Sequence, residues 1–355
     1  VVIQFLLPIA GIAGGTKVVY EYANYMAAHG HTVRILYPGV VSPEGRKRWR
    51  LEAGVRHAKY GAERLLGKNE AKEWFPLKAP LMHVPSLEAR YVPDADATIA
   101  TGNETAGWAA RLPERCGTAF YFIQGYETWN ASPEVLEATY RLPLKKIVIA
   151  QFLEEIVKNA GEHVVGIAPN GVDMQVFFDL GKTLNQPRQI LMLSHDAEEK
   201  GIPDGFQAVT RAREEFPDLR LVMFGAHHAR ADMLPGTEYH QAPPVDQLRK
   251  LYASSDIFLC PSWQEAWGLP AMEAMACGTA VVTTAGGGIL DFSIAGETVL
   301  VSPPRDPEAL AAALLRLLRD ESLLVQIGYA GHDYIQRFKL GQTAAHFTRL
   351  VLDNA

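Results

Sequence analysis

Cysteine is scarce in this chain. Its 355 residues include only Cys116, Cys260 and Cys277, an odd number without metal-ligand spacing. That excludes a disulfide framework and a zinc ribbon, and fits buried thiols in a reducing compartment. Long apolar runs are also missing. None reaches the ~18 residues of a membrane-spanning helix. The apolar stretch 1–13 has neither a basic leader nor a cleavage pattern and is expected to be a first core strand, so a cytoplasmic protein is expected. Acidic residues are not clustered as metal ligands; Asp94 and Asp96 read as turn residues, and no metal is expected. An excess of positive charge is lacking too, the formal net charge being −6, which argues against nucleic acid as a partner. The charge is uneven: residues 1–165 carry 19 Lys/Arg against 17 Asp/Glu, and residues 166–355 carry 15 against 23. One local exception groups Arg46, Lys47, Arg48 and Arg50 around Trp49. It reads either as a solvated loop or as a patch for anionic lipid headgroups or a phosphorylated acceptor, giving peripheral contact at the inner face of the membrane.

What is present is an alternation of apolar runs and helical periodicity, in a chain long enough for two domains. Residues 1–7 read as a strand, 8–17 as a glycine-rich turn, 18–29 as a helix and 32–37 as a second strand, a right-handed βαβ opening. Gly14 and Gly15 place bare backbone N–H groups where an anion or a sugar can approach. With Gly11 they do not reproduce G-x-G-x-x-G, and no acidic residue ends the second strand, so an NAD-binding domain is not expected. Residues 38–93 hold six prolines and are expected to form loops and one or two short helices. Further strands fall at 95–101, 118–123 and 145–150. The strand 118–123 runs into Gln124, Tyr126 and Glu127, polar and aromatic groups at the strand end where ligands gather in such sheets; a loop with a satisfied glutamate is the plainer alternative.

The pattern then restarts. A turn-rich segment containing Asn170 marks a boundary, followed by strands at 190–194, 220–225, 239–244, 257–260, 280–283 and 299–301. Helices are expected at 203–216, at 246–254 with Asp246 as N-cap, at 269–275, and in three C-terminal segments. The fold class is α/β, with two doubly wound Rossmann-like domains facing a central cleft.

The chemistry centres on residues 260–288. Glu265 and Glu273 are eight residues apart, a little over two helical turns, with Gly268 at a helix start between them. Two surface glutamates on a crossover helix is the plain reading. The sharper one joins them to Lys200, which follows another strand end. Lys200 with the N–H groups at Gly268 and Leu269 makes a diphosphate site from one fixed cation and a helix N-terminus. Glu273 is placed for vicinal hydroxyls of a ribose and Glu265 for those of a sugar beyond the diphosphate.

These residues resemble the retaining GT-B glycosyltransferases of the GT4 type: the E-x7-E block from Pro261 to Gly278, the Pro-Asn-Gly-Val-Asp run from Pro169 to Asp173, Lys200-Gly201 and Gly14-Gly15. The resemblance runs nearly the whole chain and is weakest over 38–93. It implies an N-terminal acceptor-side domain (1–165) on which the last helix (341–355) packs back, and a C-terminal donor domain (166–340). It implies Glu273 on the donor ribose, Glu265 on the donor sugar, and Lys200, Gly268 and Leu269 on the diphosphate. Gly15 would face the reacting sugar, and Gln241, Ala242 and Pro243 the base; Tyr126 and Glu127 would lie on the acceptor side. Retention would use front-face attack, without a metal or other cofactor, on a UDP, GDP or dTDP sugar. The expected acceptor is a hydroxyl of a glycan or lipid-linked molecule in bacterial polysaccharide or glycoconjugate synthesis. Two positions depart from the pattern. His195 stands where the family usually has an arginine, and Gln124 where it commonly has a histidine. The wording around Gln124 resembles a subgroup with bacterial rhamnosyltransferases, which points to a dTDP-deoxysugar. Other readings are a nucleotide-sugar 2-epimerase, a phosphorylase, a non-enzymatic sugar-binding protein and a degenerate transferase acting as a partner subunit.

Overall fold

The computed structural model describes residues 1–11, 13–41, 55, 58, 74–179 and 181–355. The basic cluster around Trp49 lies outside the described residues. The chain divides into two compact units: Val1–Asn170 together with Gly341–Ala355, and Gly171–Leu340.

Unit 1 contains β1 (Val2–Leu6), α1 (Gly14–Ala28), β2 (Thr32–Pro38), β3 (Leu81–Val84), β4 (Ala97–Ala100), α2 (Asn103–Ala109) and β5 (Thr118–Ile123). It continues with α3 (Pro133–Tyr140), β6 (Lys145–Val148), α4 (Gln151–Asn159) and β7 (Val164–Ile167). The strands form one sheet in the order β3-β2-β1-β4-β5-β6-β7, and every pairing is parallel. Strands covered on both faces need unbroken apolar runs, and the buried Ile3, Phe5, Ile35, Leu36, Phe120 and Phe122 provide them. The order reverses between β1 and β4, so the crevice at the carboxyl ends of those two strands is where such a sheet takes ligands.

Two expectations shift here. Helix α1 starts at Gly14, with Ala13 as its N-cap residue, so Gly14 and Gly15 form its first turn rather than a preceding loop. The proline-rich segment 38–93 contains β3, which the sequence did not announce. It has four residues between Pro80 and Pro85 and lies at the sheet edge beside β2, the position where flanking prolines leave the ladder intact.

Unit 2 contains β8 (Gln189–Leu193), α5 (Ile202–Glu215), β9 (Arg220–Gly225), β10 (Glu238–Gln241), α6 (Val245–Ala253), β11 (Ile257–Cys260), α7 (Leu269–Ala276), β12 (Ala280–Thr284) and β13 (Leu300–Ser302). Helices α8 (Pro307–Arg319) and α9 (Glu321–Ile335) complete it. Its six-stranded sheet is ordered β10-β9-β8-β11-β12-β13, again with every pairing parallel. The reversal falls between β8 and β11. Leu310, Leu314, Leu317 and Leu318 of α8 are buried in the same core as Ile190, Leu259 and Val282, as their helical spacing predicts. Asp306 starts that helix by accepting the Ala309 N–H at 2.9 Å. Asp246 is not the N-cap of α6. Pro244 occupies that position, and Asp246 lies in the first turn, paired with Arg249 at 3.1 Å, where its charge complements the helix dipole.

The last helix, α10 (Leu340–Leu352), belongs to unit 1 from Gly341 onward. Its Phe347 is fully buried, with ring centroids 4.6 Å from Phe122 and 4.9 Å from Tyr22. His346 Nε2 lies 2.9 Å from the Ile167 carbonyl oxygen, and Lys145 Nζ donates to the Asn354 carbonyl. Among the described residues no helix is long and apolar enough to cross a membrane. All three cysteines are buried and unpaired, and burial pushes the Cys260 thiol up to about 11 and the Cys277 thiol up to about 12.

Candidate active site

The loops after β8 and β11, the two strands at the reversal in unit 2, carry Lys200 and Glu265. Lys200 Nζ lies 2.9 Å from Glu265 Oε1. The same oxygen accepts the Ser262 hydroxyl at 2.8 Å. Glu265 is only 8% exposed, so this carboxylate is held by a cation and a hydroxyl rather than by water, as a buried charge must be. Burial works against the Lys200 ammonium, but the charge and hydrogen bond of Glu265 outweigh it and hold its pKa above the ordinary lysine value. Lys200 is thus a fixed positive charge.

The two loops are joined by their backbones. The Glu199 carbonyl accepts the Trp263 N–H at 2.7 Å, and the Trp263 indole donates to Asp204 at 2.6 Å. Gly201 has φ of +60°, and a Cβ there would come within 2.1 Å of the Pro261 carbonyl oxygen. Only glycine allows that approach. Beyond Glu265, the chain bridges to Gly287: Glu265 N donates to Gly286 O at 2.7 Å, and Gly288 N to Glu265 O at 3.0 Å. Gly268, at φ +98°, precedes α7, and Leu269 is its first residue. Glu273 sits within α7, 7% exposed, and Tyr252 of α6 donates to its Oε2 at 3.0 Å. Burial, then the Glu273 charge, keeps the Tyr252 phenol well above its usual range and protonated.

His195 follows β8. Its Nδ1 accepts the Ala197 N–H at 3.0 Å, its carbonyl accepts Arg230 Nη1 at 3.0 Å, and Arg230 is held by both oxygens of Asp232. Desolvation and the Lys200 charge hold His195 below the ordinary histidine value, so it is neutral at pH 7. The neighbouring fixed cation is Arg230. Gln241 ends β10, and Ala242, at φ +41°, donates its N–H to the Gly225 carbonyl at 2.7 Å. Pro243 follows in the turn before α6. A positive φ at a non-glycine residue is a strained conformation. It lies at the ends of adjacent parallel strands.

In unit 1, the Gln124 carboxamide nitrogen is 3.3 Å from where a Cβ on Gly15 would stand. Gln124 Oε1 is buried without a hydrogen-bond partner. Gly14 is the first residue of α1, and Tyr126 is half-buried in the loop after β5. Glu127 Oε2 accepts the Asn103 N–H at 2.6 Å. Asn170, the last residue of this stretch of unit 1, is 3% exposed with Oδ1 unpartnered. Lys200 and Glu265 are therefore brought into contact, and so are Gly15 and Gln124. Glu273 keeps a separate partner. Sequence reasoning gave no role to Ser262, Tyr252 or Asn103; Ser262, three residues before Glu265, was within reach of the motif, but Tyr252 and Asn103 had no local signal. Among the described residues no group of three His, Cys, Asp or Glu side chains could hold a metal ion.

Residues 178–334 match the family described as Glycosyl transferases group 1. The chain is 31% identical over 199 residues to a phosphatidyl-myo-inositol mannosyltransferase of Mycobacterium tuberculosis, covering 51% of this chain and 52% of that protein. It is 36% identical over 110 residues to a D-inositol 3-phosphate glycosyltransferase of Corynebacterium glutamicum, covering 31% and 26%. The matches thus span about half or less of these curated relatives. The structure of Anabaena HepE in complex with UDP and glucose aligns over 99% of both chains with a TM-score of 0.75 at 14% identity. The fold is GT-B.

Proposed function

We propose that this chain is a retaining glycosyltransferase that moves a hexose or deoxyhexose from a nucleotide-diphosphate sugar to an acceptor hydroxyl without a metal. The observation that carries the reading is the Lys200–Glu265 pair at the sheet reversal of unit 2, inside the segment that matches glycosyl transferases group 1. Lys200 and the N–H groups at the start of α7 would receive the diphosphate, a charge-stabilising arrangement that needs no reorganisation during reaction. Glu273 would take the ribose hydroxyls, Glu265 the hydroxyls of the donor sugar, and the Gln241–Ala242–Pro243 turn the base. Gly14, Gly15, Asn170 and Gln124 would line the reacting sugar, with Tyr126 and Glu127 toward the acceptor.

The residues also constrain the mechanism. Gln124 is an amide, neither an acid nor a base near neutral pH, and Glu265 Oε1 is already committed to Lys200 and Ser262. As the resemblance to retaining GT4-type enzymes implies, the acceptor oxygen forms its bond to the anomeric carbon on the face the diphosphate leaves, the carbon–oxygen bond to phosphate breaks, and the departing phosphate oxygen takes the acceptor proton. The protein contributes orientation and charge.

The named relatives act on phosphatidyl-myo-inositol and inositol 3-phosphate, which favours an inositol-phosphate or lipid-linked acceptor over a neutral glycan. The mannosyltransferase name favours a mannosyl donor over the dTDP-deoxysugar suggested by the Gln124 wording. A thermal-shift panel of UDP, GDP, dTDP and ADP tests the donor side: a nucleotide at 100 times its Kd adds about 2.7 kcal/mol of stability. Transfer assays with the matching sugar follow. No shift with any nucleotide diphosphate contradicts the proposal.

A further inference from the structure

Trp263 stands two residues before Glu265 and is half-buried. Its backbone N–H donates to the Glu199 carbonyl at 2.7 Å, immediately before Lys200. Its indole reaches the chain immediately after Lys200. A Cβ on Gly201 would come within 3.2 Å of Trp263 Cδ1, and Trp263 Nε1 donates to Asp204 Oδ2 at 2.6 Å, in the first turn of α5. Lys200 is therefore held on both sides by a single residue of the loop that carries Glu265.

A third element closes on the ring. The Arg305 guanidinium carbon lies 4.3 Å from the centroid of the Trp263 ring. Arg305 is exposed, in the turn between β13 and α8, with φ of +60°. Such a backbone costs a non-glycine residue more than an exposed cation–π contact returns. Glycine would take this turn without strain, so stability alone does not account for an arginine here. What the arginine adds is a cover on one face of the indole, fixing a ring whose edge already meets Gly201 and Asp204.

We propose that Trp263 is a positioning residue for Lys200: its backbone and indole clamp the chain on either side of the lysine, and Arg305 keeps the indole in place, so that the ammonium stays where a donor diphosphate would meet it. This rests on the reading of Lys200 as the diphosphate cation. Trp263 acts through Lys200 and not on the substrate.

The first test needs no ligand. The fall in Tm caused by Lys200→Met is measured in wild type, in Trp263→Phe and in Arg305→Gly. Trp263→Phe keeps a ring beneath Arg305 and loses the bond to Asp204. Arg305→Gly loses the stack but relieves the positive φ, so its own Tm should stay level. In both backgrounds the fall is expected to shrink by about half, because a loosened Lys200–Glu265 pair has less to lose. An unchanged fall in Trp263→Phe overturns the proposal.

The second test is the calorimetric Kd of whichever of UDP, GDP, dTDP and ADP binds wild type most tightly. Trp263→Phe, Asp204→Ala and Arg305→Gly are each expected to raise it about fivefold, and to change it less than about twofold once Lys200 is methionine. Asp204→Asn keeps an acceptor for the indole and should stay within about twofold of wild type. A fivefold effect that persists in the Lys200→Met background overturns the proposal, since the residue then acts on the ligand or the fold without Lys200. If none of the four nucleotides binds wild type, the functional reading fails and the Tm series alone decides on Trp263.

Discussion

Replacing Lys200 by methionine keeps most of the side-chain volume and removes the charge. What remains is the Glu265 carboxylate, 8% exposed, with the Ser262 hydroxyl as its surviving partner on Oε1. Removing one member of a buried ion pair costs about 3–5 kcal/mol. Because the Lys200 side chain is 21% exposed, water reaches this pair and the lower end, about 3 kcal/mol, is expected. Glu265→Gln leaves Lys200 unpaired and should cost less, about 1–2 kcal/mol, since an ammonium near the surface rehydrates more easily. The double variant removes both charges, so most of the summed loss of about 4–5 kcal/mol should return, giving a coupling of about 3 kcal/mol. Urea unfolding of the four proteins, followed by a probe in Gly171–Leu340, measures the cycle. Strict additivity of the single variants, or costs below about 0.5 kcal/mol each, would refute the ion pair as the organising contact of this site.

Other consequences are open to direct measurement. Phe347→Ala should destabilise unit 1 by about 3–5 kcal/mol, because the ring is fully buried against Phe122 and Tyr22; a loss under about 1 kcal/mol in urea would contradict the packing of α10 there. Tyr252→Phe removes the hydrogen bond to Glu273, a bond to a charged group worth about 1.5–3 kcal/mol. Its effect should appear in both stability and calorimetric nucleotide affinity, and an unchanged affinity would count against Glu273 on the ribose. Gly15→Ala places a methyl 3.3 Å from the Gln124 amide nitrogen; turnover should fall with little change in Tm, and full turnover would separate Gln124 from the reacting sugar.

Much of the fold was legible because parallel strands covered on both faces must be apolar. Runs such as Ile257–Cys260 therefore stood out, and the alternation with helices fixed the doubly wound class. β3 did not stand out, since its identity comes from pairing with β2 at an edge and its flanking prolines argue locally for a loop. The start of α1 was displaced for a similar reason: Gly14 and Gly15 read as turn formers, yet they open the helix behind Ala13. In the site, Glu265, Glu273 and Lys200 could be chosen by spacing and by their place at strand ends. Their partners could not. Lys200 and Glu265 are 65 residues apart, and Tyr252 reaches Glu273 from another helix. Only the folded chain shows that one carboxylate is tied to the cation and the other to a phenol. The neutrality of His195 and the bond from Asn103 to Glu127 are likewise consequences of burial.

In the proposed reaction Lys200 stabilises charge on a departing nucleotide diphosphate. The most direct measurement is kcat of wild type and Lys200→Ala with the nucleotide sugar that the thermal-shift panel selects, both proteins being shown folded. Loss of one fixed charge-stabilising group predicts a fall of about 10²–10³ in kcat. Turnover of Lys200→Ala within about threefold of wild type would contradict the account.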